Sequence, residues 1–274
     1  MVRTARLPAT SSVESSSPQA ADTCAYLLDP SRSSEVPLHH LGHQAEGVIN
    51  ADRYSAYKVV QGLVAKLLIA FCWAHVRRDF LRLGDGNKKL APWAEQWVRD
   101  INELFRINST RVKSKADSQP FREADQSLRE ALEQMARTRD GELAAPTLHP
   151  AKSASGGKTL TSLREHWPGL TIFVDHPEIP MDNNEAERRL RSAVVGRKNY
   201  YGSGSIWSGA LTAALFTILQ TLLVNQINPK PWLLAYFDAC ARNGGRVPDH
   251  LGDFLPWNLP PQWKSQWHHG ERPP

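Results

Sequence analysis

Three short apolar runs near the start of the chain restrict its fold more than any other feature. They occupy residues 24–28, 47–51 and 67–72, and each has the length of a buried strand. Tyr54, Tyr57 and Val60 recur at helical spacing between the second and third runs, which predicts a strand, a helix and a strand in that order. Such alternation is typical of mixed proteins, so we predict an α/β (α+β) fold.

Most of the remaining chain has helical periodicity. Apolar residues recur with this spacing over residues 90–104, 121–135, 184–197, 210–224 and 232–241. Residues 210–224 are the most apolar, but polar side chains interrupt them and they fall short of the ~20 residues that a membrane span needs. We therefore predict a buried helix there. The polar stretch 111–119 is predicted to be a loop, and the Ser-rich residues 1–23 a disordered tail.

Charge and cysteine content leave several classes of function open. The 33 Lys and Arg outnumber the 28 Asp and Glu, which gives a formal net charge of +5. This balance permits a polyanionic partner but does not require one. Cys24, Cys72 and Cys240 lie far apart and do not suggest a disulfide framework, so a reducing compartment is the simpler interpretation. No apolar run follows the basic start, so no secretory signal is predicted.

Asp52 is the first candidate for chemistry, because it directly follows the second apolar run. Active-site residues of open α/β sheets collect at the carboxyl ends of strands. Aspartate is also a favoured N-cap residue, and a helix that starts near Arg53 would need one. Both interpretations stay open on position alone.

Glu187 is the second candidate, and two structural roles compete with catalysis. Asn184 and Glu187 have the spacing of a capping box, in which the glutamate reaches back to the helix start. Glu187 and Arg191 also have the i,i+4 spacing of a helical ion pair. Taken without further context, either structural role is more frequent than catalysis.

Cys72 and His75 form a Cys-x-x-His pair that could be half of a zinc site. A complete site needs two more ligands, and the sequence offers no second pair with suitable spacing. A structural hydrogen-bonding role is therefore favoured for His75. Residues 156–159 look like a phosphate-binding loop, but Lys152 stands where its first glycine is needed, so this interpretation is rejected.

Basic residues gather around these candidates. They are Arg77, Arg78, Arg188, Arg189, Arg191, Arg197 and Lys198. Charge runs are most often solvated faces, but guanidinium groups also bind phosphate in bidentate geometry. Clustering beside two candidate acids favours a phosphate-rich partner.

Four segments of the chain carry recognisable motifs. They are Asp52-Arg53-Tyr54-Ser55-Ala56-Tyr57, Cys72-Trp73-Ala74-His75-x-Arg77-Arg78-Asp79-Phe80, Ile179-Pro180-Met181-Asp182-Asn183-Asn184-x-Ala186-Glu187-Arg188 and Gly196-Arg197-Lys198-Asn199. In this order they resemble the insertion sequence 66 family of transposases, and Leu255-Pro256-Trp257-Asn258 resembles that family's usual ending. The resemblance runs from about Tyr26 to Asn258. Each motif is moderately specific, and four in one order are highly specific.

The resemblance implies an RNase H-like core in which three carboxylates, a DDE set, hold two Mg²⁺ ions, with Mn²⁺ as a substitute. Asp52 would bridge the two ions and Glu187 would hold one of them. Cys72, His75, Asn183 and Asn184 would shape the site without binding metal. Two such ions stabilise the attacking and leaving oxygens of an in-line displacement, which is the chemistry of DNA strand cleavage and strand transfer.

The resemblance also implies partners and a location. Double-stranded DNA, as transposon ends and as target, would lie along the basic side chains Arg77, Arg78, Arg188, Arg191, Arg197 and Lys198. A homo-oligomer on DNA is expected, in the bacterial cytoplasm with the nucleoid and away from membranes. The implied division is a tail (1–23), the N-terminal part of the core (24–89), a long helical insertion between the second and third acids (90–163), the C-terminal part of the core with the Glu187 helix (164–225), and a C-terminal helix and coil (226–274).

The chain departs from the family pattern at its start. The family's first acid lies on a strand upstream of residues 26–32, where this sequence offers only Glu14 and Asp22, and Asp29 belongs to the matched turn. We therefore predict a truncated core that lacks its first strand, binds metal poorly and has little or no activity alone. The alternatives are a non-catalytic DNA-binding remnant or regulator of full-length transposases, and a helical interaction protein with incidental acids.

Overall fold

The computed structural model describes most of the chain. It covers residues 2–5, 23–29, 33–42, 46–53, 55–145, 149–199 and 204–269, without the side chains of residues 2–5, 40, 55 and 197. Two compact units are present, Val48–Glu185 and Met1–Gly47 together with Ala186–Pro274. The structure is a mixed α/β one and 69% helical, so the predicted class is confirmed.

The strands and helices follow one another in the order expected from the sequence patterns, with short additional elements. They are β1 (Val2–Ala5), β2 (Ala25–Leu28), α1 (Glu35–Leu41), β3 (Gly47–Ala51), α2 (Ser55–Leu63), β4 (Leu67–Phe71), α3 (Trp73–Gly86), α4 (Ala91–Lys113), α5 (Gln119–Ala144), α6 (Ala154–Glu165), α7 (Trp167–Leu170), α8 (Ile172–Asp175), α9 (Asn184–Asn199), α10 (Ile206–Val224), α11 (Pro229–Arg242) and α12 (Pro261–Gln266).

The unit Val48–Glu185 is built around the predicted strand, helix and strand. β3 and β4 form a small parallel sheet, and α2 connects them. Ile69 and Phe71 of β4 are buried, and α3 places Trp73, Val76 and Phe80 in the same core. Burial of large apolar side chains is the main favourable term in folding. These buried residues therefore hold β4 and the start of α3 in place, and with them the carboxyl end of the sheet.

A pair of long helices, α4 and α5, forms the helical segment predicted between the two candidate acids. Buried residues at helical spacing, including Trp97 and Ile101 on α4 and Leu128 on α5, face each other across the pair. The indole N–H groups of Trp93 and Trp97 both donate to Glu142 Oε2 at 3.0 Å. This shared carboxylate satisfies the donors of the buried Trp97 and the half-buried Trp93, and links the start of α4 to the end of α5.

Arg111 belongs to α4 and is buried, although the sequence predicted a loop from that residue onward. α4 ends at Lys113, so the loop is shorter than predicted. The Arg111 guanidinium pairs with Asp125 at 2.6 Å and donates to the carbonyl oxygens of Phe173 and Val174. It therefore joins α4, α5 and α8 through one buried cation.

The chain returns to β4 at the short helix α7. A Cβ atom built on Gly169 would lie 2.6 Å from the Ile69 carbonyl oxygen and even closer to the Phe71 ring. The Trp73 indole N–H donates to the Leu170 carbonyl at 2.7 Å. Glycine at position 169 is what lets α7 lie directly against the strand.

The second unit contains an antiparallel pair, β1 and β2, with Val2 opposite Leu28 and Ala5 opposite Ala25. The prediction of a disordered tail is therefore wrong for Val2–Ala5, because β2 offers these residues a ladder of hydrogen bonds. Residues 6–22 of that tail, with Glu14 and Asp22, lie outside the described residues. Tyr26 of β2 packs with Leu190 and Ala193 of α9 and with Phe216 of α10.

α10 is a helix as predicted, but the prediction that it is buried is wrong. Among its residues only Gly209, Thr221 and Leu222 are buried, and Trp207 is 73% exposed. By length and composition alone α10 could cross a membrane, as no other helix in the described ranges could, and core helices of soluble proteins pass the same test. Its inner side is mixed, with Thr217 and Thr221 beside Ala213 and Phe216.

The end of the chain is more regular than the predicted coil. An aromatic cluster of Trp232, Tyr236, Phe254, Trp263 and Trp267 packs on the buried residues Leu222, Ile227 and Leu259. α12 carries Trp263 into this cluster, because apolar burial outweighs the weak helix preference of a Pro-rich segment.

The RNase H-like core stays a prediction. The described strands form two separate two-stranded sheets and not one larger sheet. The predicted five-part division also stays a prediction.

Candidate functional site

A loop of residues 180–184, here called the 180–184 loop, lies against the carboxyl ends of β3 and β4. On the β3 side, Asn50 Nδ2 donates to the carbonyl oxygens of Pro180 at 2.6 Å and of Asp182 at 3.1 Å. This pair of bonds explains a polar side chain near the end of an apolar strand, since a half-buried amide still needs partners. β3 therefore holds the loop through one side chain.

The junction between β4 and α3 holds the other side of the same loop. The Trp73 backbone N–H donates to the Met181 carbonyl at 2.9 Å. The Asn183 N–H donates to Cys72 Sγ at 3.4 Å. Met181 and Cys72 are buried, so the loop is docked by apolar contact as well as by hydrogen bonds. Two of the recognised motifs thus meet in space, 111 residues apart in sequence.

Asp52 lies directly after β3 and is half-buried. α2 begins at Ser55, so Asp52 does not occupy the cap position that a helix starting at Arg53 would need. The neighbouring Arg53 guanidinium pairs with Asp79 of α3 and donates to Ser162 Oγ of α6 at 3.1 Å. These bonds fix the backbone beside the Asp52 carboxylate from two different helices.

Asp182 caps the helix that carries Glu187. Its carboxylate accepts from the Asn184 backbone N–H at 3.0 Å and from the Asn184 side chain at 2.8 Å. A carboxylate at a helix N-terminus is stabilising, because the first N–H groups lack partners in the helix. Asn184 is the first residue of α9, so it is not the cap of a capping box with Glu187.

Oxygen atoms suited to a hard cation lie around this loop. Asn50 Oδ1 and Asn183 Oδ1 are buried without a hydrogen-bond partner, and Asp52 adds a carboxylate. Mg²⁺ takes such oxygen ligands and keeps several waters. These donors are too few for a complete metal site. The described part of the chain holds no group of three or more His, Cys, Asp or Glu side chains that could bind a metal ion.

Cys72 and His75 lie at the start of α3, and their contacts disfavour a zinc site. Burial raises the pKa of the Cys72 thiol, and the N–H of Asn183 lowers it by a smaller amount. The thiol therefore stays protonated at neutral pH and serves here as the acceptor of the Asn183 N–H. The His75 ring lies 3.3 Å from the Arg78 guanidinium, a cation that a metal-bound histidine would not face.

His166 is a buried histidine close to the same strand end. Its Nδ1 bonds the Ser162 carbonyl at 2.7 Å, and its ring meets Phe71 edge-on. Burial lowers the pKa of His166, and the charges of Lys58 and Arg53 act in the same direction. The imidazole is therefore neutral at pH 7, and Arg53 faces it without repulsion.

The basic candidates fall into two groups. Arg77 and Arg78 lie on α3 and are half-buried, with Arg78 Nε directed to the Ala74 carbonyl at 3.4 Å. Arg188, Arg191 and Lys198 are exposed at helical spacing on one face of α9. This exposed set is here called the α9 basic face. The side chain of Arg197 lies outside the described residues.

The two candidate acids belong to different units. Asp52 is in Val48–Glu185, and Glu187 lies near the start of α9 in the other unit, where it is half-buried and has interaction partners. Their convergence therefore stays a prediction. The sequence interpretation gave no role to Asn50, Arg53, Asp79 or Asp182. For Asn50 a signal existed, namely one amide in an otherwise apolar strand.

Replacing Asn50 with alanine is expected to loosen the 180–184 loop. The carbonyls of Pro180 and Asp182 lose their donor, which lowers the free energy of unfolding by about 1–3 kcal/mol. Urea unfolding measures this loss, and hydrogen exchange at the Trp73 and Asn183 amides should accelerate. Asn87→Ala, at the exposed end of α3, is the control. Unchanged exchange at both amides would contradict the proposed docking.

Known proteins with similar sequences are longer than this chain. Uncharacterized protein y4hP of Sinorhizobium fredii (strain NBRC 101917 / NGR234) is 26% identical over 252 residues, which cover 87% of this chain and 43% of the relative. Uncharacterized protein y4jD of the same strain is 28% identical over 248 residues, covering 88% and 45%. This chain thus spans less than half the length of these relatives. No solved structure matches it.

The family assignment agrees with the motifs that meet at the 180–184 loop. The sequence profile described as Transposase IS66 family matches residues 8–211, which is most of the chain. The order of the motifs, the extent of this match and the docking of one motif on another lead to one conclusion, that the chain belongs to the IS66 family of transposases.

Proposed function

We propose that this chain is a catalytic-core fragment of a DNA transposase, of RNase H-like DDE type, that acts on phosphodiesters by metal-dependent strand cleavage and strand transfer. Family membership supports transposition as the process. The observation that carries the site is the docking of the 180–184 loop at the carboxyl ends of β3 and β4, next to Asp52. Polar groups at such strand ends are where α/β proteins place their chemistry.

Asp52 and Glu187 are the proposed ligands of Mg²⁺ or Mn²⁺ in this scheme. The bound ions would stabilise charge on the attacking and leaving oxygens at phosphorus. The chain's own contribution is to position the acids. Arg53, through Asp79 and Ser162, fixes the backbone at Asp52, and Asp182 fixes the first turn of the Glu187 helix. Cys72 and Asn183 join these two supports.

We further propose that two carboxylates do not suffice. Clustered acids around two ions need a third to complete the coordination, and the resemblance assigns this role to Asp52 and Glu187 without a third acid. The isolated chain is therefore expected to bind metal weakly and to leave DNA uncut.

A cleavage assay tests this proposal. The purified chain, with Mg²⁺ or Mn²⁺ and a duplex carrying its element's end sequence, should give no cut product. Cleavage that Asp52→Ala abolishes would contradict the incomplete site but support Asp52 as a metal ligand. Cleavage that survives both Asp52→Ala and Glu187→Gln would overturn the assignment of the acids.

Double-stranded DNA is the proposed partner, and the α9 basic face is its proposed contact. Three exposed cations at spacings of three and seven residues lie within ~15 Å along the helix, a length over which a duplex presents several phosphates. A homo-oligomer on DNA, in the bacterial cytoplasm with the nucleoid, completes the proposal.

The triple variant Arg188→Gln, Arg191→Gln, Lys198→Gln is expected to weaken DNA binding. Each lost phosphate contact should reduce the slope of log affinity against log salt by about 1. Fluorescence anisotropy at several salt concentrations measures both quantities. Arg99→Gln, Arg106→Gln, Arg137→Gln removes the same charge from exposed positions of α4 and α5 and should leave the slope unchanged. Equal slopes for the two triple variants would rule out the α9 basic face.

A non-catalytic DNA-binding protein, such as a regulator of full-length transposases, is the second candidate. The exposed α9 basic face favours it over a simple interaction protein. Glu187→Gln distinguishes the catalytic function from the DNA-binding function, provided that the variant is tested in a transposase preparation that cuts DNA. It should abolish cleavage with DNA affinity unchanged if the acid is catalytic.

A further inference from the structure

α10 differs from an ordinary surface helix because its exposed side is apolar, as much of its inner side is. Its exposed residues recur at helical spacing, and every one from Trp207 onward is apolar. They are Trp207, Ala210, Leu211, Ala214, Leu215 and Ile218, with Ile206 exposed at the helix start. We call this set the α10 apolar face. A surface helix normally turns such a stripe toward the core.

Two threonines on the inner side of α10 bind β2, and the apolar residues Ala213 and Phe216 lie beside them. Thr217 Oγ1 accepts from the Tyr26 backbone N–H at 2.9 Å, and Thr221 Oγ1 accepts from the Cys24 N–H at 3.1 Å. Thr221 also donates to the Cys24 carbonyl at 3.2 Å. These hydroxyls take the place of a neighbouring strand along the edge of β2. The rotation of α10 is thereby fixed, and its remaining apolar residues point outward.

An apolar stripe of this size on a surface indicates a binding partner. Trp207 is 73% exposed and Ile206 is 86% exposed, while isolated exposed apolar residues need no explanation. The exposed parts of the large side chains correspond to roughly 600 Å² per copy, the upper end of the largest apolar patches on monomeric proteins. Two copies would then bury on the order of 1,200 Å², which reaches the lower bound of stable specific interfaces.

We propose that the α10 apolar face pairs with the same face of a second copy of this chain. Three features favour a second copy. α10 has no charged residue, so two-fold pairing brings no like charges together. Ala210 and Ala214 alternate with Leu211 and Leu215, so the large side chains of one helix fit over the small ones of an antiparallel partner. A two-fold axis near the helix centre also gives each apolar side chain of one copy an equivalent contact in the other copy. The inference does not depend on DNA chemistry.

The test is the mass of the full chain in solution, measured by light scattering and sedimentation over a range of concentrations. The wild-type chain should be a dimer. Leu211→Glu with Leu215→Glu should weaken dimerisation at least about a hundredfold, because like charges then meet across the axis. Leu63→Glu with Val112→Glu, two exposed apolar positions of α2 and α4, is the matched control and should remain dimeric. Circular dichroism should show equal helix content in all variants.

A complementary pair distinguishes a second copy from other occupants. Mixing the double Glu variant with Leu211→Lys, Leu215→Lys should restore a dimer that contains one copy of each. A monomeric wild-type chain at all concentrations would overturn the proposal. Dimerisation of the double Glu variant with unchanged affinity would do the same, as would uptake of a monomeric wild-type chain by phosphatidylcholine vesicles.

Discussion

Replacing Arg111 with alanine should lower the free energy of unfolding by about 3–5 kcal/mol, measured by urea denaturation. The guanidinium is almost fully buried, where it meets Asp125 and the carbonyls of Phe173 and Val174. Its removal leaves those oxygens without donors and Asp125 with Arg129 as its remaining cation partner. Breaking this pair costs more than it contributes, because Asp125 keeps only the half-exposed Arg129 and the two buried carbonyls lose their donor.

Two variants identify the cause of this loss. Arg106→Ala removes an exposed arginine that also has an acidic partner, Glu103, and should cause no measurable change. Arg111→Met combined with Asp125→Leu replaces both charges with apolar groups and should recover much of the stability. A double variant as unstable as Arg111→Ala would show that the carbonyl contacts, and not the ion pair, carry the effect.

Replacing Gly169 with alanine should also destabilise the unit Val48–Glu185, by about 1–3 kcal/mol. The added Cβ meets the Ile69 carbonyl oxygen and the Phe71 ring, so α7 must move away from β4. Since the backbone of a strand cannot yield as a flexible side chain can, the upper part of this range is expected. Thermal or urea unfolding of the purified chain measures the loss.

The matched control is Gly62→Ala on α2. No atom lies within 4 Å of a Cβ at position 62, and this residue is exposed in a helix. The substitution should therefore raise the free energy of unfolding, by up to about 1 kcal/mol. If Gly169→Ala proved as harmless as Gly62→Ala, the close approach of α7 to β4 would be wrong.

The apolar runs and the helical periodicity of the sequence predicted the strands and helices well, because these elements form where local propensity and burial agree. The apolar run 67–72 becomes β4 and Cys72, and the periodicity of Leu128, Leu132 and Met135 becomes the buried face of α5. In these segments strand or helix propensity agrees with the side that is buried. The docking of Cys72 against Asn183 was expected only in general terms, from motifs that resemble one family.

The failures concern interactions that no local pattern contains. The composition of α10 predicted burial, but two threonine hydroxyls on its inner side replace a strand beside β2. Val2–Ala5 forms a strand because β2 offers an edge, not because of its own composition. Arg111 is buried because three acceptors from two other helices, α5 and α8, surround it. In each case the deciding partner is distant in sequence.

The helical segment from α3 to α6 begins and ends next to the same strand, β4. Trp73, at its beginning, donates to Leu170, 97 residues later, and Gly169 touches β4 itself. A segment that begins and ends at the same strand tolerates changes of length. If α4 and α5 lengthen or shorten by equal amounts, the contacts of Trp73 and Gly169 with their partners are unchanged. The chain beyond them, which leads to the Asp182 cap, would keep its starting position. We therefore expect related proteins to differ widely in the length of α4 and α5, while the 180–184 loop keeps its position next to Asp52.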